Sequence, residues 1–222
     1  MIHPRAIRPV LRASTTLAAL AATAAMLSSC TGNDKASTTI GSGTESSVVE
    51  FARVFGGYSQ NYVAAKSPDE LAGWSDLVTT GHIVAITEGR KLAIAVGDNQ
   101  PDLIERTLVM KIRPDRYVKG VPPVGSDGYL YVELANPGQR DPSLYDAAVP
   151  KDSLVALYLI PSQDPMAVDP AAGRPEGQEI WRPITAQGFI VDDGTQSYAI
   201  LDHVGYGTSL SSFLPPSKAF PQ

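Results

Sequence analysis

Few side chains in this sequence carry the reactivity that chemistry needs, and one of them stands alone. Cys30 is the single cysteine in 222 residues. A cysteine acts as nucleophile or soft metal ligand through its thiolate, and one cysteine cannot close an internal disulfide. Of the three histidines, His3 lies in the N-terminal leader, which leaves His82 and His203. Asp202 adjoins His203 and serines are plentiful, so a Ser-His-Asp set can be drawn. Adjacent strand residues point to opposite faces, however, so Asp202 is badly placed to orient His203, and both histidines read as ordinary sheet residues. Asp98, Asn99 and Asp102 crowd one loop, and Asp192-Asp193 another. Loop oxygens of this kind suit calcium, but hairpin turns need the same residues, and turn chemistry is the favoured reading. Two histidines without a thiolate make a weak zinc set, so no metal is expected. The chain holds no G-x-S-x-G, S-x-x-K, H-E-x-x-H, P-loop or EF-hand pattern. Binding is therefore expected before catalysis. The alternative is an envelope hydrolase using His82 or His203 with loop carboxylates.

The surroundings of Cys30 give it a different chemistry. Arg5, Arg8 and Arg12 form a basic n-region without acidic residues, and Ala13 to Leu27 form an apolar stretch rich in Ala and Leu. That stretch is shorter than the roughly 20 residues needed to span a bilayer, and it fits a secretory signal. It ends in Leu27-Ser28-Ser29-Cys30, which resembles the lipobox of bacterial lipoproteins. The resemblance implies cleavage between Ser29 and Cys30, a thioether-linked diacylglycerol on the Cys30 sulfur, and N-acylation of the new terminus. It implies no other cofactor. Two or more acyl chains anchor a protein stably where one does not. The expected location is the extracytoplasmic face of a bacterial membrane: the cell membrane, or the outer membrane if the source has two.

Removing the leader takes three arginines with it, so the net charge of −5 becomes about −8. An acidic surface of this kind does not favour nucleic acid or anionic lipid. The expected partners are a protein or a glycan, with the membrane engaged through the lipid anchor. With Cys30 acylated no thiol remains, and stability must come from a hydrophobic core.

The expected organisation is a signal peptide over 1–29, the lipidated cysteine and a tether over 30–47, one β-rich domain over 48–214 and a Pro-rich tail over 215–222. The tether is built of Thr, Ser, Gly, Asn and Asp, a composition too polar to offset ordering entropy. Val48, Phe51, Val54 and Phe55 sit at helical spacing until Gly56-Gly57 interrupts them. Ser67-Pro68-Asp69-Glu70 carries a capping-box signature, which predicts a short helix from Pro68 to about Ser75. The β pattern begins at Leu77. Leu77 to Thr87 predicts a strand with a bulge at Gly81, Gly89-Arg90 a tight hairpin turn, and Leu92, Ile94 and Val96 the return strand. Leu108, Met110 and Ile112 share one strand face, and Pro114 should break that ladder before Tyr117-Val118. Leu130, Val132 and Leu134 share another face, with Tyr129, Tyr131 and Glu133 opposite. Leu154 to Ile160 is apolar throughout and reads as a central strand covered on both faces. A proline-rich loop is expected over 161–183, with Trp181 as contact anchor or barrel plug. A last hairpin is expected from Phe189–Val191 to Tyr198–Leu201 across Asp192-Asp193-Gly194-Thr195.

Short strands without alternating helices predict a mainly β fold, an antiparallel barrel or small sandwich, with one or two short helices before the first strand. Asp76-Leu77-Val78, Gly81-His82-Ile83-Val84, Tyr117-Val118-Lys119-Gly120 and Ala156-Leu157-Tyr158-Leu159 resemble the strand ends of OB-like and netrin-like small β-barrels, over residues 70 to 162. The disulfides of netrin-like domains have no counterpart here, so the resemblance is one of fold. Barrels of this type bind oligomers with a face of stacking aromatics and cations. Lys111 and Arg113, with Tyr129 and Tyr131 on the neighbouring strand, form the expected binding face, and Arg116 and Lys119 extend it.

Overall fold

The computed structural model describes residues 47–56, 61–97, 102–121, 123, 127–163, 166–170, 172–207 and 209–215. Cys30, the lipobox, the tether up to residue 46, Asp98, Asn99 and the tail from residue 216 lie outside the described residues. The fold is mainly β, as expected. Helices α1 (Ser47–Val54) and α2 (Pro68–Trp74) precede strands β1 (Leu77–Ile94), β2 (Leu103–Lys119) and β3 (Leu130–Ala135). Helix α3 (Pro142–Ala148) leads into β4 (Leu154–Pro161), β5 (Ile180–Pro183), β6 (Phe189–Asp192), β7 (Ser197–Ala199) and β8 (Val204–Tyr206). Five strands pair in a ring, β1-β2-β3-β5-β4 and back to β1, and β6, β7 and β8 extend the sheet from β4. All pairings are antiparallel except β3 with β5, which is parallel and lasts two residue pairs, Tyr131↔Ile180 and Val132↔Trp181. The ring needs β5, a strand that lies beyond residue 162, where the resemblance ended.

Strand β4 is central, pairing with β1, β5 and β6. Both its faces are covered from Val155 to Leu159, as its unbroken apolar run requires. Leu108, Met110 and Ile112 of β2 meet Leu130, Val132 and Leu134 of β3 in the main core. Helix α1 adds Val48 and Phe51 to that core, and the turn after it adds Phe55. Phe51 meets Phe189 edge-on at 6.2 Å, and Phe55 lies 4.9 Å from the Tyr145 ring. Ser47, placed in the tether by composition, is the first residue of α1. Its hydroxyl and the Val48 N–H both donate to Asp193 Oδ2, at 3.2 and 3.3 Å, so a carboxylate from the β6–β7 turn caps the helix.

The capping signature at Ser67 holds with one change. The Glu70 N–H donates to Ser67 Oγ at 3.1 Å, but the Glu70 carboxylate reaches back to the Lys66 N–H, at 2.7 Å, one residue further than a capping box reaches. Lys119 Nζ donates to the Ala72 and Ser75 carbonyls at the helix's other end, as cations near a C-terminus do. Lys119 is thus occupied with α2 and does not extend a binding face.

Strand β1 corrects the sequence reading. Gly89-Arg90 is not a hairpin turn. β1 runs unbroken through it, with a register shift between Glu88 and Lys91, and pairs with β2 along its length. The hairpin connection lies beyond Ile94. Glycine marks a bulge as readily as a turn. Here Gly89 is required because a Cβ would stand 2.5 Å from Thr107 Oγ1, and the irregular register turns Arg90 inward. Gly81 behaves as expected: the register shifts beside it, and a Cβ there would stand 2.3 Å from the Arg113 carbonyl. Pro114 opposes Gly81 without ending β2.

The 161–183 segment is more ordered than a loop reading allows. Its end is β5, and Trp181 belongs to the core. Its middle lies along the free edge of β1. The Ala93 N–H donates to Met166 O at 2.9 Å, Val168 N–H to Lys91 O at 2.8 Å, and Lys91 N–H to Asp169 Oδ1 at 2.6 Å.

Candidate functional site

The bulge at Gly89-Arg90 delivers a guanidinium to the interior, where it is 4% exposed. Arg90 donates from Nε to Glu133 Oε1 at 2.8 Å and from Nη2 to Glu133 Oε2 at 2.5 Å, a bidentate pair. Ser162 Oγ accepts from Arg90 Nη2 at 3.1 Å and donates to Glu133 Oε2 at 2.6 Å. Thr107 Oγ1 stands 3.1 Å from Glu133 Oε1 and 3.0 Å from the Arg90 carbonyl, and its one proton serves either. Burial pushes the Glu133 carboxyl up, but the hydrogen bonds from Arg90 and Ser162, the charge of Arg90 and the Thr107 contact outweigh it, and the carboxyl sits below its ordinary range. A carboxylate so stabilised is a weak base. The network holds Ser162 between the guanidinium and the carboxylate.

Glu133 and Ser162 form part of the lining of a cleft of about 680 Å³, within the size range of ligand sites. The cleft opens where β3 and β5 part after their two parallel pairs. Its walls include Glu105 and Arg106 of β2, Leu134 and Ala135 of β3, Gln163 after β4, and Arg182 and Pro183 of β5. The turn Pro137–Gln139 contributes a further wall, and there Gln139 has φ 52, an unusual backbone for a non-glycine residue. Its side chain explains how it is held. Gln139 Oε1 accepts from the Arg106 N–H at 2.7 Å, and Nε2 donates to the Arg106 and Asn136 carbonyls at 3.3 and 3.2 Å. The amide thereby continues the β2–β3 ladder one step past its last pair, Thr107↔Ala135.

The expected binding face is assembled only in part. Lys111 pairs with Tyr131 across β2 and β3. Its Nζ lies 3.8 Å from the Tyr129 ring centroid and 5.8 Å from that of Tyr131, so its cation is already engaged with the two rings. Tyr131 is only 3% exposed, packs with Val109 and Ile180, and donates to Asp127 Oδ2 at 2.8 Å. Burial, then the Asp127 hydrogen bond and charge, push its hydroxyl up to about 12. Tyr131 and Glu133 therefore do not face solvent as their alternation suggested. The physical reason is the 161–183 segment, whose Gly173, Ile180 and Ser162 cover that side of the sheet. Tyr129 is half-buried, while Arg113 and Arg116 are exposed.

The two histidines have different neighbours. His82 Nδ1 lies 2.9 Å from the Ser153 carbonyl, and its Nε2 lies 3.2 Å from Asp115 Oδ2. His203 is not a sheet residue. It stands exposed in the turn between β7 and β8 with φ 54, and its carbonyl accepts from the Tyr198 hydroxyl at 2.9 Å. Asp192 and Asp193 serve turn and cap chemistry. Asp192 accepts from Gly194 N–H, Ser197 Oγ and Leu210 N–H, and Asp193 from Thr195 and Gln196 besides α1. Among the described residues no cluster of three histidine, aspartate or glutamate side chains could hold a metal.

Compared with known protein families, curated proteins and solved structures, the chain has no match. The site must therefore be read from its own geometry. Ser162, Arg182 and Gln163 were absent from the sequence reading, and Arg90 entered it as a turn residue and not as a site residue. The one local signal for any of them was Gly89-Arg90, which turn chemistry explained equally well.

Proposed function

We propose that this chain is a lipid-anchored, non-catalytic binding module on the extracytoplasmic face of a bacterial membrane, and that its cleft between β3 and β5 receives a protein or envelope partner. Acylation at Cys30 supplies the anchor, and no cofactor beyond those acyl groups is needed. The observation that carries the reading is the cleft itself, built over a buried, hydrogen-bonded ion pair. Its placement supports the same reading. Asp192 pairs with Leu154 at the start of β4, next to the Asp193 that caps α1, whereas Ser162 follows the end of β4. A strand of eight residues separates these ends by roughly 24 Å, so Ser162 at the cleft stands at the other end of β4 from the turn that receives Ser47.

The test is photo-crosslinking in intact cells, with a photoreactive residue at Gln163 or at Tyr129. An adduct with an envelope component at Gln163 alone supports the cleft. An adduct at Tyr129 alone moves the site to the Lys111–Tyr129 face, and no adduct at either position refutes the binding reading.

A further inference from the structure

We infer that the arm of β1 and β2 beyond the ring is a homodimer interface, in which the outer edge of β2 from Asp102 to Ile104 pairs antiparallel with the same edge of a second copy about a two-fold axis at Leu103. The inference concerns a surface beside the cleft and does not depend on what the cleft holds. β1 and β2 outrun the ring. Their last pairs, from Lys91↔Arg106 to Ile94↔Leu103, lie past the end of β3, whose last partner in β2 is Thr107. The β1 edge of this arm is covered by Met166 and Val168. On the β2 edge the Gln139 amide meets Arg106, and beyond it nothing pairs among the described residues. Asp102 to Arg106 are all exposed, Leu103 by 51% and Ile104 by 46%.

The outward backbone groups follow from the alternation of a strand. The Arg106 N–H and carbonyl both meet the Gln139 amide on the outer side, so Ile104 and Asp102, at the same parity, point their N–H and carbonyl the same way. β1 gives the same answer from the other side. Lys91 and Ala93 bond away from β2, to Val168, Asp169 and Met166, so Leu92 and Ile94 are the residues that bond β2, at Glu105 and Leu103. An exposed apolar edge with free backbone groups is a template for a further strand.

This edge is complementary to itself, as a two-fold interface must be. A register centred on Ile104 would set the second copy's Asp102 where the Gln139 amide already sits. Centred on Leu103, Asp102 to Ile104 of one copy meet Ile104 to Asp102 of the other, and Gln139 is left clear. The two Leu103 side chains then face each other, and Ile94, the β1 neighbour of Leu103, extends the apolar row on either side. Arg106, whose Glu88 contact is 3.9 Å long, lies diagonal to the second copy's Asp102, within reach of a long side chain. The two Glu105 carboxylates stand on opposite sides of the axis with Cα atoms roughly 14 Å apart, beyond the Debye length of about 8 Å at physiological salt. Glu105 and Arg106 also line the cleft, so the pairing would bring two clefts beside one axis.

The experiment introduces single cysteines into the full chain and oxidises intact cells with copper–phenanthroline, with wild type, carrying Cys30 alone, as control. The central, non-hydrogen-bonded pair sets its Cα atoms about 4.5 Å apart, within disulfide range, whereas the two Ile104 Cα atoms would lie roughly 8 Å apart, outside it. Leu103→Cys is expected to give a disulfide-linked dimer on a non-reducing gel, at least tenfold more abundant than with Ile104→Cys. Adding Ile104→Pro to Leu103→Cys should remove the dimer, because the lost N–H faces outward and the β1 pairing does not use it. If that variant fails to accumulate, the charges decide: Arg106→Glu should weaken the cross-link in Leu103→Cys, and adding Asp102→Arg should restore it. Leu103→Cys linking no more than wild type, or Ile104→Cys linking as well as Leu103→Cys, overturns the inference and leaves the cleft reading to its own test.

Discussion

At the scale of single residues, Glu133 is the position on which most depends. Truncating one member of a buried ion pair leaves the other charge uncompensated, at a cost of about 3–5 kcal/mol. Glu133→Ala should therefore lower the stability measured by urea unfolding by about that much, whereas replacing both Glu133 and Arg90 with apolar residues should cost far less. A loss below about 1 kcal/mol for the single variant would mean that the pair is not buried as described. The folded carboxyl lies below its unfolded value, so its contribution is complete above the unfolded value and disappears as pH falls through the folded one. Glu133→Gln should accordingly flatten the acid limb of the stability profile. Tyr131 acts at the other end of the scale. Its folded value of about 12 exceeds the ordinary 10.0, so stability should fall as pH rises between them, and Tyr131→Phe should remove one late step from the tyrosinate absorbance titration. Neither residue was legible in these roles. Alternation assigned Tyr131 and Glu133 to one face correctly, but what covers that face lies far along the chain, and no local pattern records it.

At the scale of elements, the sequence was informative wherever local physics decides. The β4 run, the alternation of β2 and β3, the Ser67 cap and the Asp192–Thr195 turn all appear where composition placed them. It was uninformative where one residue type serves two geometries, as Gly89 does, and where burial comes from a distant segment. The 161–183 segment is the clearest case. Prolines and glycines described it as a loop, yet it covers the β2–β3 face and hands Ile180–Pro183 to the ring. Gly173 makes that packing feasible. It has φ +80, and a Cβ there would stand 2.7 Å from the Glu88 carbonyl and 2.8 Å from Val109 Cγ2. Gly173→Ala should cost about 1–3 kcal/mol through the left-handed backbone alone, and the contacts add to that. Limited proteolysis should then cut near Arg174 sooner than in wild type, and unchanged protection would show that the segment is held by other means.

At the scale of the whole molecule, the chain enters the described domain at Ser47. Cys30→Ala should abolish labelling by radioactive fatty acid and leave an uncleaved precursor, and normal labelling would remove the lipobox reading. The joint has a consequence of its own, a mechanical one. Any tension arriving along the chain from its N-terminal side meets the Asp193 carboxylate first, then α1, and only afterwards the ring of strands. Eight helical residues span about 12 Å at 1.5 Å each, but extended they reach about 27 Å. Peeling α1 from Phe189 and Tyr145 would lengthen the leash by about 15 Å before any strand pairing broke. The helix is thus placed to act as a fuse, giving way so that the cleft-bearing ring does not.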